Sequence, residues 1–187
     1  PDLILAVGNR LARAVKAATS TIPIVMVNVV NPVEEGLIAS FARPGGNVTG
    51  LTFLVGPEIA GKHLELLKEV VPTLSRVAVL ADPLGVNTPG RRQMLADAQG
   101  LGLTLQFYDI GDPTEYEAAF AAMPTARVQG LLVNFYALNF THARKIAELA
   151  AQRRLPAVYG FQDAVPLGGL MAYSVNNPAN FRRAATY

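Results

Sequence analysis

Ala42-Arg43-Pro44-Gly45-Gly46-Asn47, followed at once by Val48-Thr49-Gly50-Leu51-Thr52-Phe53, is where this 187-residue chain changes course. Proline fixes its own φ, and Gly45, Gly46 and Asn47 tolerate the positive φ of a tight turn, so the first half reads as a turn. The second half reads as a strand. Upstream lie two apolar runs, Leu3–Val7 and Ile24–Val29. Downstream come Val77–Leu80, Leu103–Tyr108, Gly130–Asn134, Ala157–Phe161 and a last run at Gly168–Val175. Such runs, nearly continuous rather than alternating, predict strands covered on both faces by helices.

The segments between them carry helix punctuation. Pro57-Glu58 opens one helix, with Ile59, His63, Leu66, Leu67 and Val70 at helical spacing until Pro72 ends it. Asp112-Pro113-Thr114-Glu115 predicts a cap acceptor, a proline in the first turn and a glutamate reaching back. Thr88-Pro89 and Asn176-Asn177-Pro178 read as further starts. Thr141 is expected to cap a helix running to Arg153-Arg154, cations that suit its negative end before Pro156 stops it. Strand–helix alternation over the whole length predicts an α/β protein with mainly parallel sheets. Residues 1–47 read as part of one domain, 48–56 as a crossing segment and 57–167 as a second domain. Residues 168–175 read as a return crossing strand, and 176–187 as the start of a helix returning to the first domain. Both ends look cut: Pro1-Asp2 leads straight into a strand, and the final helix has barely begun, so the first domain is expected to be incomplete and any targeting sequence to lie outside this stretch.

Composition narrows the function. Sixteen Lys plus Arg against 14 Asp plus Glu leave a net charge of +2, and 51% of residues are hydrophobic. That excludes disorder, and the scattered basic residues argue against a nucleic-acid partner. Apolar stretches such as Ile22–Val30 are far short of the roughly 20 residues of a membrane span. With no cysteine there are no disulfides, thiolate metal sites or thiol nucleophiles. The catalytic inventory is thin. Gly-x-Ser-x-Gly, a Walker loop, Gly-x-Gly-x-x-Gly after a strand and His-Glu-x-x-His are all missing, and no His/Asp/Glu cluster has metal-ligand spacing, so neither an enzyme nor a cofactor or metal is expected. The two histidines read as structural, His63 on a helix flank and His142 in a first helical turn.

Ala42-Arg43-Pro44-Gly45-Gly46-Asn47-Val48-Thr49-Gly50 resembles the ABC-transporter substrate-binding protein family that includes tryptophan- and other aromatic-amino-acid-binding lipoproteins. The rest of the chain is similar too: Pro1–Gly8 with Ala17-Ala18-Thr19 and Ile22-Pro23-Ile24-Val25, Asn31-Pro32-Val33 with Gly36-Leu37, Gly61-Lys62-His63-Leu64-Glu65-Leu66-Leu67-Lys68-Glu69, Ile146–Ala150, Leu155-Pro156-Ala157, and Gly168-Gly169-Leu170-Met171. The resemblance implies the two-domain periplasmic-binding-protein fold, of type I character, with ligand held between domains by hinge closure. It also implies an ABC permease as partner and a location that is either periplasmic or extracytoplasmic and membrane-anchored. Exposed apolar surface on an incomplete first domain would favour a homodimer of the chain.

In open α/β sheets ligands sit beyond the carboxyl ends of the strands. Those ends give Gly8-Asn9-Arg10, then Asn31, then Asn134 with Phe135 and Tyr136, then Phe161 with Gln162. Gly8 lets backbone approach a ligand, the helix N–H groups after it attract a carboxylate, and Arg10 offers a bidentate bond. The alternative is a tight turn and a solvated arginine. In the resembling family many members have Asp where Asn31 stands; an amide can only hydrogen-bond a ligand ammonium, which weakens the case for an amino acid and leaves room for an amine-free carboxylate, or else Asn31 only makes an Asn-Pro turn and caps the next helix. Phe135, Tyr136 and Phe161 are read as an aromatic wall or as core edge, and Asn134 and Gln162 as orienting groups. The expected function is capture of a small organic ligand for import. Two rival readings are the effector domain of a transcription regulator and a doubly wound enzyme.

Overall fold

A computed structural model describes residues 1–52, 58–83, 89–174 and 176–186, without the side chains of Glu58 and Asn177. The chain falls into two compact units, Pro1–Gly56 with Val175–Tyr187, and Pro57–Ser174. The expected strand residue Phe53, the openers Pro57 and Thr88, and Val175 lie outside the described residues.

The first unit begins with β1 (Ile4–Val7), α1 (Gly8–Ala18), β2 (Ile24–Val29) and β3 (Val48–Thr52), a parallel sheet in the order β1-β2-β3. Apolar β2 is central because it is covered on both faces. Ile24, Met26 and Val29 pack with Ala12 of α1, and Val25 and Val27 pack with Ala184 near the chain's end. The turn ahead of β3 works differently from the sequence reading. Only Gly45 takes a positive φ, 77°. Asn47 is a clamp instead, its Nδ2 donating to the carbonyls of Thr19 (3.0 Å) and Ile22 (2.8 Å), so that β3 starts in register beside β2. Gly50 lies opposite Met26 with φ 135°, and a Cβ there would sit 2.0 Å from the Met26 carbonyl oxygen. The strand pair closes only because that Cβ is absent.

The second unit runs α2 (Glu58–Val70), β4 (Arg76–Ala81), α3 (Pro89–Gly100), β5 (Thr104–Asp109), α4 (Glu115–Ala122), β6 (Gly130–Val133), α5 (Ala137–Thr141), α6 (Ala143–Gln152), β7 (Ala157–Tyr159), a 3-10 helix (Gln162–Leu167) and β8 (Met171–Ala172). The residues read as a return strand, 168–175, thus supply β8, which pairs with β7 inside this unit. The chain then re-enters the first unit as α7 (Asn177–Ala184), capped by Asn176, whose Oδ1 accepts from Ala179 N at 3.0 Å. All five strands are parallel, in the order β5-β4-β6-β7-β8. Buried Leu64, Leu67 and Met94 of α2 and α3 cover one face; Tyr116, Phe120, Ile146 and Ala150 of α4 and α6 cover the other. Sandwiching of this kind is why the inner strands β4, β6 and β7 are almost wholly apolar while the edge strand β5 carries Thr104, Gln106 and Asp109, and the α/β, parallel-sheet expectation holds.

Local signals fared unevenly. The Asp112 signal forms a turn ahead of the helix rather than its cap: Asp112 Oδ1 accepts from Thr114 N (2.9 Å) and Thr114 Oγ1 (2.6 Å), Glu115 Oε2 accepts from Gly111 N (2.8 Å), and α4 starts only at Glu115, with Pro113 outside it. These bonds also hold the Asp112 carboxyl below its ordinary range. Thr141 is not a cap. It is the last residue of α5, its hydroxyl bonds back to the Ala137 carbonyl (2.8 Å), and His142 precedes α6. A hydroxyl inside a helical turn bonds its own i−4 carbonyl when the chain before it is already helical. His63 is no flank residue either. It is 4% exposed, with Nε2 at 2.6 Å from the Tyr173 carbonyl, and burial lowers its pKa.

Candidate functional site

The strand order of the second unit reverses at β4: the chain passes outward to β5, then returns to the other side of β4 to lay down β6. In open α/β sheets a reversal of this kind, beyond the carboxyl ends of the two inner strands, is where ligands most often sit. Asp82 and the loop Asn134-Phe135-Tyr136 lie at those ends. Phe135 is 41% exposed and Phe140, on α5, 40% exposed, with ring centroids 5.9 Å apart. Phe161 is fully buried behind both, 6.1 Å from Phe135 and 5.5 Å from Phe140. Tyr159 extends the stack inward at 5.7 Å from Phe161. The result is an aromatic shelf of two open rings on a buried aromatic footing. Gly160 lets it form, since a Cβ there would lie 3.0 Å from Phe135 N.

The loop bearing the shelf is tied at both ends. Tyr136 is half-buried and its hydroxyl donates to the Ile110 carbonyl at 2.5 Å, beyond the end of β5. Burial, then the charges of Asp82 and Glu115, raises its pKa and keeps the phenol a donor. Asn139 is fully buried. It accepts from Tyr116 Oη (2.8 Å) and donates to the carbonyls of Leu80 (3.1 Å) and Asn134 (3.0 Å). The Asn134 side chain is half-buried, with no described hydrogen bond, and Gln162 Nε2 reaches the Ser174 carbonyl (3.2 Å).

In the first unit, Gly8 has φ 77° and opens α1 with no side-chain cap and no acidic residue in the first turn. Arg10 is exposed and makes no ion pair among the described residues. Asn9 spends both amide groups on Val30, donating to its carbonyl (2.7 Å) and accepting from its N–H (2.9 Å). It therefore locks the loop after β1 to the loop after β2. Asn31 is exposed, in left-handed backbone (φ 48°), and bonds Glu34 Oε2 at 3.1 Å. No helix follows it; its carbonyl instead accepts from Glu35 N in a series of turns.

The structure thus gathers Gly8, Asn9, Arg10 and Asn31 at one set of strand ends, and Asn134, Tyr136, Phe161 and Gln162 at another. Phe161 and Tyr136 support the aromatic shelf; Phe135 and Phe140 form its open surface. Sequence reasoning missed three residues. Phe140 was hidden because the sequence offers no start signal for the short helix α5 that carries it. Asn28, in the run Ile24–Val29, takes φ 56° at a register shift of β2 with its buried Oδ1 unpartnered, and a lone amide in an apolar strand was its one signal. Asp82 follows the last residue of β4 and directly precedes Pro83. Among the described residues no group of three or more His, Asp or Glu side chains could hold a metal ion.

Solved proteins share this architecture. A conserved domain protein from Vibrio cholerae superposes with a TM-score of 0.83 at 24% identity, over 100% of this chain and 62% of that one. A Streptococcus ABC domain in complex with L-Trp does so at 0.76 and 19% identity, over 99% of this chain and 63% of that one. The ligand-free, open form of a Clostridium difficile substrate binding protein with adhesive properties gives 0.67 at 26% identity, over 90% and 56%. These neighbours define the periplasmic-binding-protein type I fold. The profile of the ABC transporter substrate binding protein family matches residues 1–186, and the chain belongs to that family, one of binding proteins rather than enzymes. A tyrosine-binding protein of Clostridioides difficile is 27% identical over 176 residues, 94% of this chain; the chain spans about half of that relative's length. No described helix is long and apolar enough to cross a membrane.

Proposed function

We propose that this chain is the ligand-capturing part of an ABC importer's solute-binding component, and that its ligand is an aromatic amino acid. The observation that carries the ligand class is the pair of open rings, Phe135 and Phe140, on the buried Phe161. An exposed pair of phenylalanines at a switch point offers edge and face to a flat apolar side chain, where a binding surface of this kind is most often sited. In the first unit, the uncapped start of α1 and the unpaired Arg10 suit a carboxylate. The tyrosine-binding relative supports the same class. Closure of the two domains on the ligand, delivery to a permease and an extracytoplasmic location complete the proposal.

Thermal unfolding of the chain with L-tyrosine, L-tryptophan, L-phenylalanine, L-leucine and amine-free aromatic acids tests it. Ligand at 100 times its Kd adds about 2.7 kcal/mol. The proposal expects that gain with an aromatic amino acid, and its loss in Phe135→Ala and Phe140→Ala. Stabilisation by amine-free acids alone would move the ligand class to carboxylates, in keeping with Asn31 where relatives carry Asp. Stabilisation by leucine but by no aromatic compound would refute the aromatic reading.

A further inference from the structure

The side chain of Asn139 has no role in the function proposed so far, yet it is one of only two buried polar side chains in the described core, the other being His63. A fully buried amide in a short, five-residue helix needs a reason, because desolvating it is costly unless its groups are matched. Here three of its four hydrogen-bonding positions are filled, and they fix its orientation. Nδ2 faces two carbonyl oxygens, Leu80 and Asn134, while Oδ1 faces the Tyr116 hydroxyl. A flipped amide would set Oδ1 against both carbonyls.

Those two carbonyls are specific places. Leu80 is next to last in β4, and Asn134 is the residue at which the chain leaves β6. The backbone already bridges them once, Asn134 N donating to the Leu80 carbonyl at 3.2 Å. Asn139 adds the return link, from the far side of the loop. The closed circuit contains Asn134, Phe135 and Tyr136 and ends one residue before Phe140, so both open rings of the shelf hang from it. Tyr136, bonded to Ile110, holds the same circuit toward β5.

We propose that Asn139 is a positioning residue for ligand binding: it latches the 134–140 loop across the switch point and sets the spacing of Phe135 and Phe140. The proposal rests on the reading that these two rings contact the ligand. Tyr116 orients the amide; the two Nδ2 bonds do the latching.

The test compares Tyr116→Phe with Tyr116→Phe/Asn139→Leu in the full chain, so that neither variant buries an unmatched tyrosine hydroxyl. Gln129→Ala is the control. Its Oε1 accepts from Ser75 N (2.9 Å), Ser75 Oγ (2.8 Å) and Arg76 N (3.2 Å), tying the amino ends of the same two strands. Amide hydrogen exchange of residues 134–140 and the affinity for L-tyrosine are both read. The expected result is that Tyr116→Phe keeps loop protection and affinity. The double variant then exchanges faster across 134–140 and binds about ten-fold more weakly, the equivalent of one net hydrogen bond. Gln129→Ala lowers the melting temperature but changes neither readout. If the double variant behaves like Gln129→Ala, Asn139 is a stability residue and the proposal is overturned. If its loop loosens while affinity stays constant, and Phe135→Ala also leaves affinity constant, the shelf is not the ligand surface, and the proposed ligand class falls with it.

Discussion

Gly50→Ala puts the strand-closing geometry of the first unit to a quantitative test. The Cβ it adds would lie 2.0 Å from the Met26 carbonyl oxygen, 2.7 Å from its nitrogen and 2.9 Å from its carbonyl carbon. All three are backbone atoms of β2, the strand with β1 on one side and β3 on the other, so no rotamer change relieves the overlap. Either β3 moves off β2, or φ leaves 135°. Forcing atoms into a packed site costs about 1–3 kcal/mol, and holding a side chain in that backbone region costs about another 1–3. The sum, about 2–6 kcal/mol, is a large fraction of the roughly 5–15 kcal/mol that holds a domain together. At about 2–4 °C per kcal/mol for a chain of this size, the melting temperature should fall by several degrees or more. Gly46→Ala is the internal reference. Gly46 has open space around a Cβ and no positive φ, so that substitution should be neutral or stabilising by up to about 1 kcal/mol through the unfolded chain. Urea titration followed by circular dichroism gives both values. A Gly50→Ala midpoint within error of Gly46→Ala would mean that the β2–β3 approach is not as close as described.

Other outcomes follow from single side chains. Tyr159 is fully buried and its hydroxyl has no partner, so Tyr159→Phe should raise stability by about 1 kcal/mol, and a loss of that size would reveal a hidden partner. Burial also pushes its phenol up to about 12. The native state then holds this proton after the unfolded chain has released it, so stability is full below pH 10 and declines as pH rises toward 12; melting curves between pH 9 and 11 should be flatter for Tyr159→Phe. His63 has the opposite sign. Burial lowers its pKa below 6.5, so the unfolded chain binds the proton first. Its contribution is whole above pH 6.5 and declines as pH falls through that value, and wild type should lose more stability from pH 7.5 to 5 than His63→Gln; equal slopes would contradict the burial. Gly160→Ala should displace Phe135, whose N would lie 3.0 Å from the new Cβ, and weaken L-tyrosine binding with only a small melting change. Unaltered affinity would separate Gly160 from the shelf.

The layered architecture was legible because it is written in composition along the chain: β2 and β4 are apolar but for Asn28 and the exposed Arg76, since helices cover both faces, and the turn at Asp112 and Glu115 needs only local geometry. What resists reading is set by distant contacts. Phe135 and Phe161 stand 26 residues apart in the sequence, beyond the ends of different strands, yet one is sealed under the other's ring. Asn139, three residues after Tyr136, carries no signal of burial until Tyr116 is brought to it from 23 residues upstream. Asn9 looks free for a ligand until β2 delivers Val30. The left-handed backbone of Asn28 follows from a register shift between β2 and β3, which no local propensity encodes. Thr141 misled for the opposite reason, since a cap residue and the last residue of a short helix look alike from one side.

The latch behind the aromatic shelf is made entirely of uncharged groups: one amide, two phenols and backbone carbonyls. Dissolved ions screen pairs of charges within about 10 Å at 0.1 M, but they have little hold on a bond between neutral dipoles. Both phenols have pKa values raised by burial, so neither loses its proton near neutrality. The bonds that set the spacing of Phe135 and Phe140 are therefore ones that added salt does not screen. A latch built this way keeps two neighbouring rings in place through changes of salinity that would loosen a loop framed by ion pairs.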